Sequence, residues 1–268
     1  MDLPERRRGG KPVIDRIWTI ATNTVREAIR SKLLYVLLGF AILVILSGIV
    51  VGSLSYVESA RILQDVGLAA IRISGVAIAI FVGVSLIHAE VDRRTIYTIL
   101  AKPISRGEFL LGKFLGLVMT TWLQMTVMVV FFVAVSLLTG APVTLTHGAA
   151  ILLICVELTL MVAIATFFSA FTTPMLATFF SIGVWVVGCL TRNLRDLGAV
   201  SDVDSVRLTT VWLHRILPDL ASFNLSIEAV HGLPISAADV WLPLVYGVGY
   251  AAIVLVGAMA IFERRDFR

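Results

Sequence analysis

Gly107, Gly112 and Lys113 stand at the GxxxxGK spacing that cradles nucleotide phosphates. The surrounding residues spoil that chemistry. Phe114 follows where a Ser or Thr hydroxyl should hold magnesium, no strand precedes the glycines, and a long apolar run comes next. We therefore reject a nucleotide site, and any ATP-driven function needs a partner subunit. The sequence has no HExxH, GxSxG or CxxC. Cys155 and Cys189 lie inside apolar runs and read as small hydrophobes, not as a disulfide or a metal pair. His88, His147, His214 and His231 are scattered without ligand-like spacing.

Glu157 is the acidic residue deepest in an apolar run. A carboxylate in lipid is costly and by default marks function. Two readings stand. Glu157 lines a pathway or accepts a proton, or else it is a protonated group hydrogen-bonded to a neighbouring helix and holds helices together. An intramembrane enzyme would need a second deep catalytic group, which the chain lacks. Arg72 and His88 lie near the ends of their run, where snorkelling accounts for them.

The largest group of charges is an island between two apolar runs, from Glu90 to Lys113. It holds Glu90, Asp92, Arg93, Arg94, Lys102, Arg106, Glu108 and Lys113. Residues 95–100 read as a short helix from Thr95, and Pro103 ends it, because proline pushes the residue before it (Lys102) out of helical geometry. A connection this short turns the chain at a membrane surface and offers a helix to the water. That suits receipt of force from a separate soluble subunit.

The elements that must position these residues follow from composition. Of 268 residues, 58% are hydrophobic and 15% charged, against about 25% charged in soluble domains. The chain is an integral membrane protein, and its formal charge of +4 reflects basic loops rather than nucleic acid. Residues 1–12 read as a disordered tail. In residues 13–32, Ile14, Ile17, Trp18, Ala21, Val25, Ala28 and Ile29 recur at helical spacing, with Asp15, Arg16, Arg26, Glu27 and Arg30 on the other side. That predicts an amphipathic helix lying on the membrane interface. No cleavable signal peptide is read.

Six spans are expected, at about 33–53, 69–89, 114–138, 149–170, 175–191 and 240–262, with a polar link at 54–68. Gly48 and Gly52 form a GxxxG pair. Gly67, Gly75 and Gly83 share one face, which suggests packing against a neighbour, and Gly112 and Gly116 open the third span on one face. Residues 192–239 form the longest polar stretch. Its apolar pieces are too short to span, and read as re-entrant or interfacial helices or as a partly folded surface loop. Of the 22 Lys and Arg residues, 16 fall on the side of the two termini, and the positive-inside rule makes that side cytoplasmic.

Three stretches resemble a known family. Glu90-Val91-Asp92-Arg93-Arg94-Thr95-Ile96 through Leu100-Ala101-Lys102-Pro103-Ile104-Ser105-Arg106 and Gly112-Lys113 is similar to the segment after the second span of ABC-2 type permeases. The ending Ala260-Ile261-Phe262-Glu263-Arg264-Arg265-Asp266-Phe267 resembles the close of the NosY-like subgroup. So does Leu217-Pro218-Asp219-Leu220-Ala221-Ser222-Phe223-Asn224 to His231-Gly232-Leu233-Pro234. The resemblance covers nearly the whole chain, with Arg94 where the family usually has Gly.

The resemblance implies an all-α membrane subunit of an ABC exporter, not itself an enzyme, in a bacterial or archaeal plasma membrane with both termini cytoplasmic. It implies a coupling helix between spans 2 and 3, at which Glu90, Asp92, Arg93, Arg94, Thr95, Lys102, Pro103 and Arg106 meet a separate ATP-binding subunit. It makes 13–32 the connecting helix, 33–262 a single transmembrane domain and 263–268 a cytoplasmic end. The implied partners are two ATP-binding subunits, which hold the ATP and magnesium, a second permease chain (a copy or a close paralogue), and membrane lipid. A different reading keeps the ATPase but moves no cargo, and passes motion to an outer partner through residues 192–239.

Overall fold

A computed structural model describes residues 12–55, 58–92, 105–191 and 217–264. Among these there are eight α-helices: α1 Val13–Ile29, α2 Lys32–Ser53, α3 Ser59–Asp92, α4 Arg106–Leu138, α5 Leu145–Ser169, α6 Pro174–Cys189, α7 Ser226–His231 and α8 Ala237–Arg264. A 3-10 turn, Leu220–Phe223, precedes α7. The described residues contain no strand.

Five helices are long and apolar enough to cross a membrane: α2, α3, α4, α5 and α8. The sixth expected span is α6, which is apolar but has 16 residues. At 1.5 Å per residue it reaches about 24 Å, short of a hydrocarbon core of roughly 30 Å. Pro174 starts α6, because its missing N–H costs nothing in a first turn.

Two helices begin eight or more residues before their expected starts. The polar link at 54–68 is mostly the first turns of α3, since Leu63, Gln64 and Leu68 are buried. Polar Ser59, Arg61 and Asp65 hid the helical spacing of the residues between them. The third span was expected from 114, yet α4 starts at Arg106, where the Ser105 hydroxyl accepts the Glu108 amide at 3.1 Å. Phe109 and Leu110 already pack inward there.

The centre of the bundle is α5. From Leu158 to Ala165 nearly every side chain is buried, as in a helix surrounded by others. Lipid tails are as apolar as leucine, so close contact rather than water exclusion must hold these helices together. The small residues provide it. Gly75 of α3 lies against Leu158 of α5, Gly83 against Ala165, and Gly67 against Phe132 of α4. Gly48 and Gly52 bring α2 onto the start of α3. Exposed apolar faces remain on α2 and α8, including Val36, Phe40, Leu43, Ile253 and Val256.

The connections sort to two ends. At one end Phe109 and Leu110 cluster with Ala170, Ala258 and Phe262, with the Phe109 and Phe262 rings stacked at 6.4 Å. This gathers the start of α4, the α5–α6 turn and the end of α8. At the opposite end the Gln64 side-chain amide donates to the Pro142 carbonyl at 2.8 Å, tying α3 to the α4–α5 turn.

Candidate functional site

Arg72 of α3 and Glu157 of α5 meet inside the bundle. Arg72 Nε donates to Glu157 Oε2 at 2.7 Å and Nη2 donates to Oε1 at 2.9 Å. The carboxylate is wholly buried and the guanidinium side chain is 13% exposed. Trp185 Nε1 of α6 also donates to Oε1, at 3.1 Å. Three N–H donors on two oxygens is the arrangement of an ionised acceptor, and the paired prongs give it direction as well as strength.

This corrects two sequence readings. Arg72 does not snorkel: its head turns inward, onto another helix. Glu157 does bond to neighbouring helices, but its chief partner is the Arg72 guanidinium rather than the neutral hydrogen-bond partner one reading gave it. The helix register held a signal for this. Gly75 lies three residues after Arg72 and Leu158 one after Glu157, so the glycine contact that docks α3 on α5 also sets the two charges face to face.

The pair reaches further. Arg72 Nη2 lies 3.2 Å from the Leu220 carbonyl and 3.5 Å from Cys189 Sγ. Cys189 is a free thiol, as is Cys155; its contact with a guanidinium makes it more than the small hydrophobe read from sequence. Leu220 opens the 3-10 turn, which therefore sits inside the bundle at the level of Glu157. Glu157 is 12 residues, about 18 Å, from the Ser169 end of α5. Within the 192–239 stretch Pro218, Leu220 and Phe223 are buried, while residues 192–216 lie outside the described residues.

Glycines make the room. A Cβ at Gly188 would stand 2.8 Å from Leu220 Cγ, and one at Gly247 of α8 would stand 2.8 Å from Phe223 Cε1. Asp219 fixes the turn: its Oδ1 accepts the Ala221 amide at 3.2 Å and the Thr191 hydroxyl at 2.6 Å. The Asp219 amide donates to Tyr246 Oη of α8 at 3.1 Å. One short turn is thus bonded to α3, to Thr191 just beyond α6, and to α8.

The charged island divides between described and undescribed residues. Glu90 and Asp92 belong to the last turn of α3. Arg93, Arg94, Thr95, Lys102 and Pro103, with the expected helix 95–100, lie outside the described residues. Arg106 faces inward: its Nη1 donates to the Glu263 carbonyl at 3.1 Å, a cation on the carboxyl end of α8. Lys113, 2% exposed, donates to Glu27 of α1 at 3.2 Å, and Arg16 lies 3.5 Å from Glu108. Arg16 and Glu27 were expected on the solvent side of α1, and instead they face α4. The glycines of the rejected phosphate loop explain the approach: Gly112 and Gly116 sit inside α4, and α1 lies over them, with Ala21 O 2.7 Å from where a Gly116 Cβ would be. Ile14 and Trp18 stay exposed on the other face of α1. His147 completes a capping box with Thr144 at the start of α5. Among the described residues no group of three or more His, Cys, Asp or Glu could hold a metal ion.

No curated protein sequence matches the chain. The family model described as ABC-2 family transporter protein matches residues 18–267, which takes in every helix described above except the first residues of α1. The chain belongs to the ABC-2 transporter family and is a multi-pass membrane protein.

Proposed function

We propose that this ABC-2 family member is the permease subunit of an ATP-driven exporter, worked by a separate ATP-binding subunit through residues 90–106. The ending and the outer-loop motifs resemble the NosY-like subgroup, and support assigning the chain to it. Two permease chains pair with two ATP-binding subunits, which hold the ATP and magnesium. Both termini face the cytoplasm of a bacterial or archaeal plasma membrane, as the excess of Lys and Arg on their side favours.

The observation that carries this reading is what stands on either side of the island. It joins α3 and α4, helices of 34 and 33 residues, each about 50 Å long. The returning limb is fastened to α1 through Glu27–Lys113 and to α8 through Arg106–Glu263. The outgoing limb carries Arg72 to Glu157 and the 218–223 turn. Force applied to residues 93–104 therefore has a stiff path to both ends of the bundle. Arg93 and Arg94 supply charges for register with the ATPase.

Co-expression with the ATP-binding subunit and purification in mild detergent test the proposal. A complex with two copies of each chain, active as an ATPase in lipid, is expected. Purification of the permease alone, at every detergent and nucleotide condition, would overturn it.

A further inference from the structure

Beside the 3-10 turn lies a groove of about 570 Å³. That is within the usual range for small-molecule sites. Asp219, Ser222, Leu242, Pro243, Tyr246 and Tyr250 line it. We propose that this groove binds an organic ammonium group, on the carboxylate of Asp219 and the rings of Tyr246 and Tyr250.

The charge balance points to a cation. Asp219 Oδ1 is occupied by the Ala221 amide and the Thr191 hydroxyl, both uncharged donors. Among the described residues no Lys, Arg or His forms an ion pair with Asp219. The nearby guanidinium of Arg72 is matched by Glu157. A carboxylate inside the bundle that no described Lys, Arg or His matches is a place for an incoming positive charge.

The walls select its type. Tyr246 and Tyr250 have ring centroids 5.8 Å apart at 49°, and Phe223 stands 6.3 Å from Tyr246. Tyr246 is held by the bond from the Asp219 amide, and the residue is 39% exposed. Angled aromatic faces attract a cation that sheds its water cheaply, which a substituted ammonium does. A small metal ion would demand several oxygen ligands, and the groove offers one carboxylate among rings and aliphatic carbon. The ammonium has two sources, a lipid headgroup such as phosphatidylethanolamine or a free amine, and the groove's open side admits either.

Binding is measured on the purified chain alone, so the result is independent of any ATPase. The probe is tetramethylammonium chloride, read as a rise in unfolding temperature against the same concentration of sodium chloride. The wild-type chain in phosphatidylglycerol nanodiscs should show a saturable rise. Asp219→Asn keeps the Oδ1 acceptor that caps the turn, and should weaken the apparent affinity at least tenfold. Tyr250→Leu, which leaves the turn's hydrogen bonds intact, should do likewise. A structural role for either residue would shift the unfolding temperature but not its dependence on tetramethylammonium. Nanodiscs containing phosphatidylethanolamine separate the sources: competition with the probe identifies the lipid, and unchanged affinity identifies a free amine. Equal response to sodium and tetramethylammonium in the wild type, or wild-type affinity in both folded variants, would overturn the proposal.

Discussion

The guanidinium of Arg72 grips the carboxylate of Glu157 by two parallel hydrogen bonds, at 2.7 and 2.9 Å, across 85 residues of sequence. Removing either partner leaves the other buried and unmatched, at a cost of about 3–5 kcal/mol. Glu157→Gln and Arg72→Gln should each lower the unfolding free energy in detergent by that amount. The double variant Arg72→Gln/Glu157→Gln should recover most of the loss, since neither charge then stands alone. Additive losses in the double variant would show that the two side chains act separately.

Gly247 leaves room for Phe223, whose ring carbon would lie 2.8 Å from an added Cβ. Gly247→Leu should push the 220–223 turn off Arg72 and uncover Cys189, which sits beside it. Maleimide labelling of the two native thiols reads this directly: Cys189 should react at least tenfold faster than in wild type, with Cys155 unchanged. Equal acceleration at both would mean general loosening instead.

The contact of α1 with α4 rests on Gly116 and on Lys113, whose ammonium is buried against Glu27. Glu27→Ala should destabilise the chain by about 1.5–3 kcal/mol, toward the lower figure because Glu27 is partly exposed. Glu27→Ala with Lys113→Met should restore most of it. Gly116→Leu should detach α1 altogether, seen as rapid tryptic cleavage at Arg26 and Arg30.

Arg106 was read from sequence as part of the docking surface, but its guanidinium sits on the Glu263 carbonyl at the end of α8. Arg106→Ala should cost no more than about 1 kcal/mol, the value of a cation at a helix carboxyl end. Binding of the ATP-binding subunit, measured by co-purification, should survive the change. Its loss would show that Arg106 also meets that subunit.

Much of this molecule could be read from residue order alone. Twenty-odd apolar residues in a row announce a helix that crosses lipid, and α2 begins and ends within a residue of its expected bounds. The glycines of α3 were legible as points of close packing but not as one face: eight residues carry the helix about 80° past two full turns, and Gly67 meets α4 where Gly75 and Gly83 meet α5. What was not legible depends on partners remote in sequence. Arg72 and Glu157 each looked costly or peripheral alone, and only the docking of α3 on α5 makes them a pair. Lys113 and Glu27 likewise read as solvated charges, since nothing local shows that α1 folds over Gly112 and Gly116. The start of α3 was missed because polar residues at helical spacing lower the mean hydropathy without ending a helix.

The central claim is that an ATP-binding subunit engages the charged island, and the direct measurement is its affinity for the chain in lipid nanodiscs. Arg93→Glu with Arg94→Glu should weaken that affinity at least tenfold, about 1.4 kcal/mol, while the chain still inserts and keeps the unfolding midpoint of the wild type. Wild-type affinity in this variant would contradict the claim and remove residues 90–106 from the path of force.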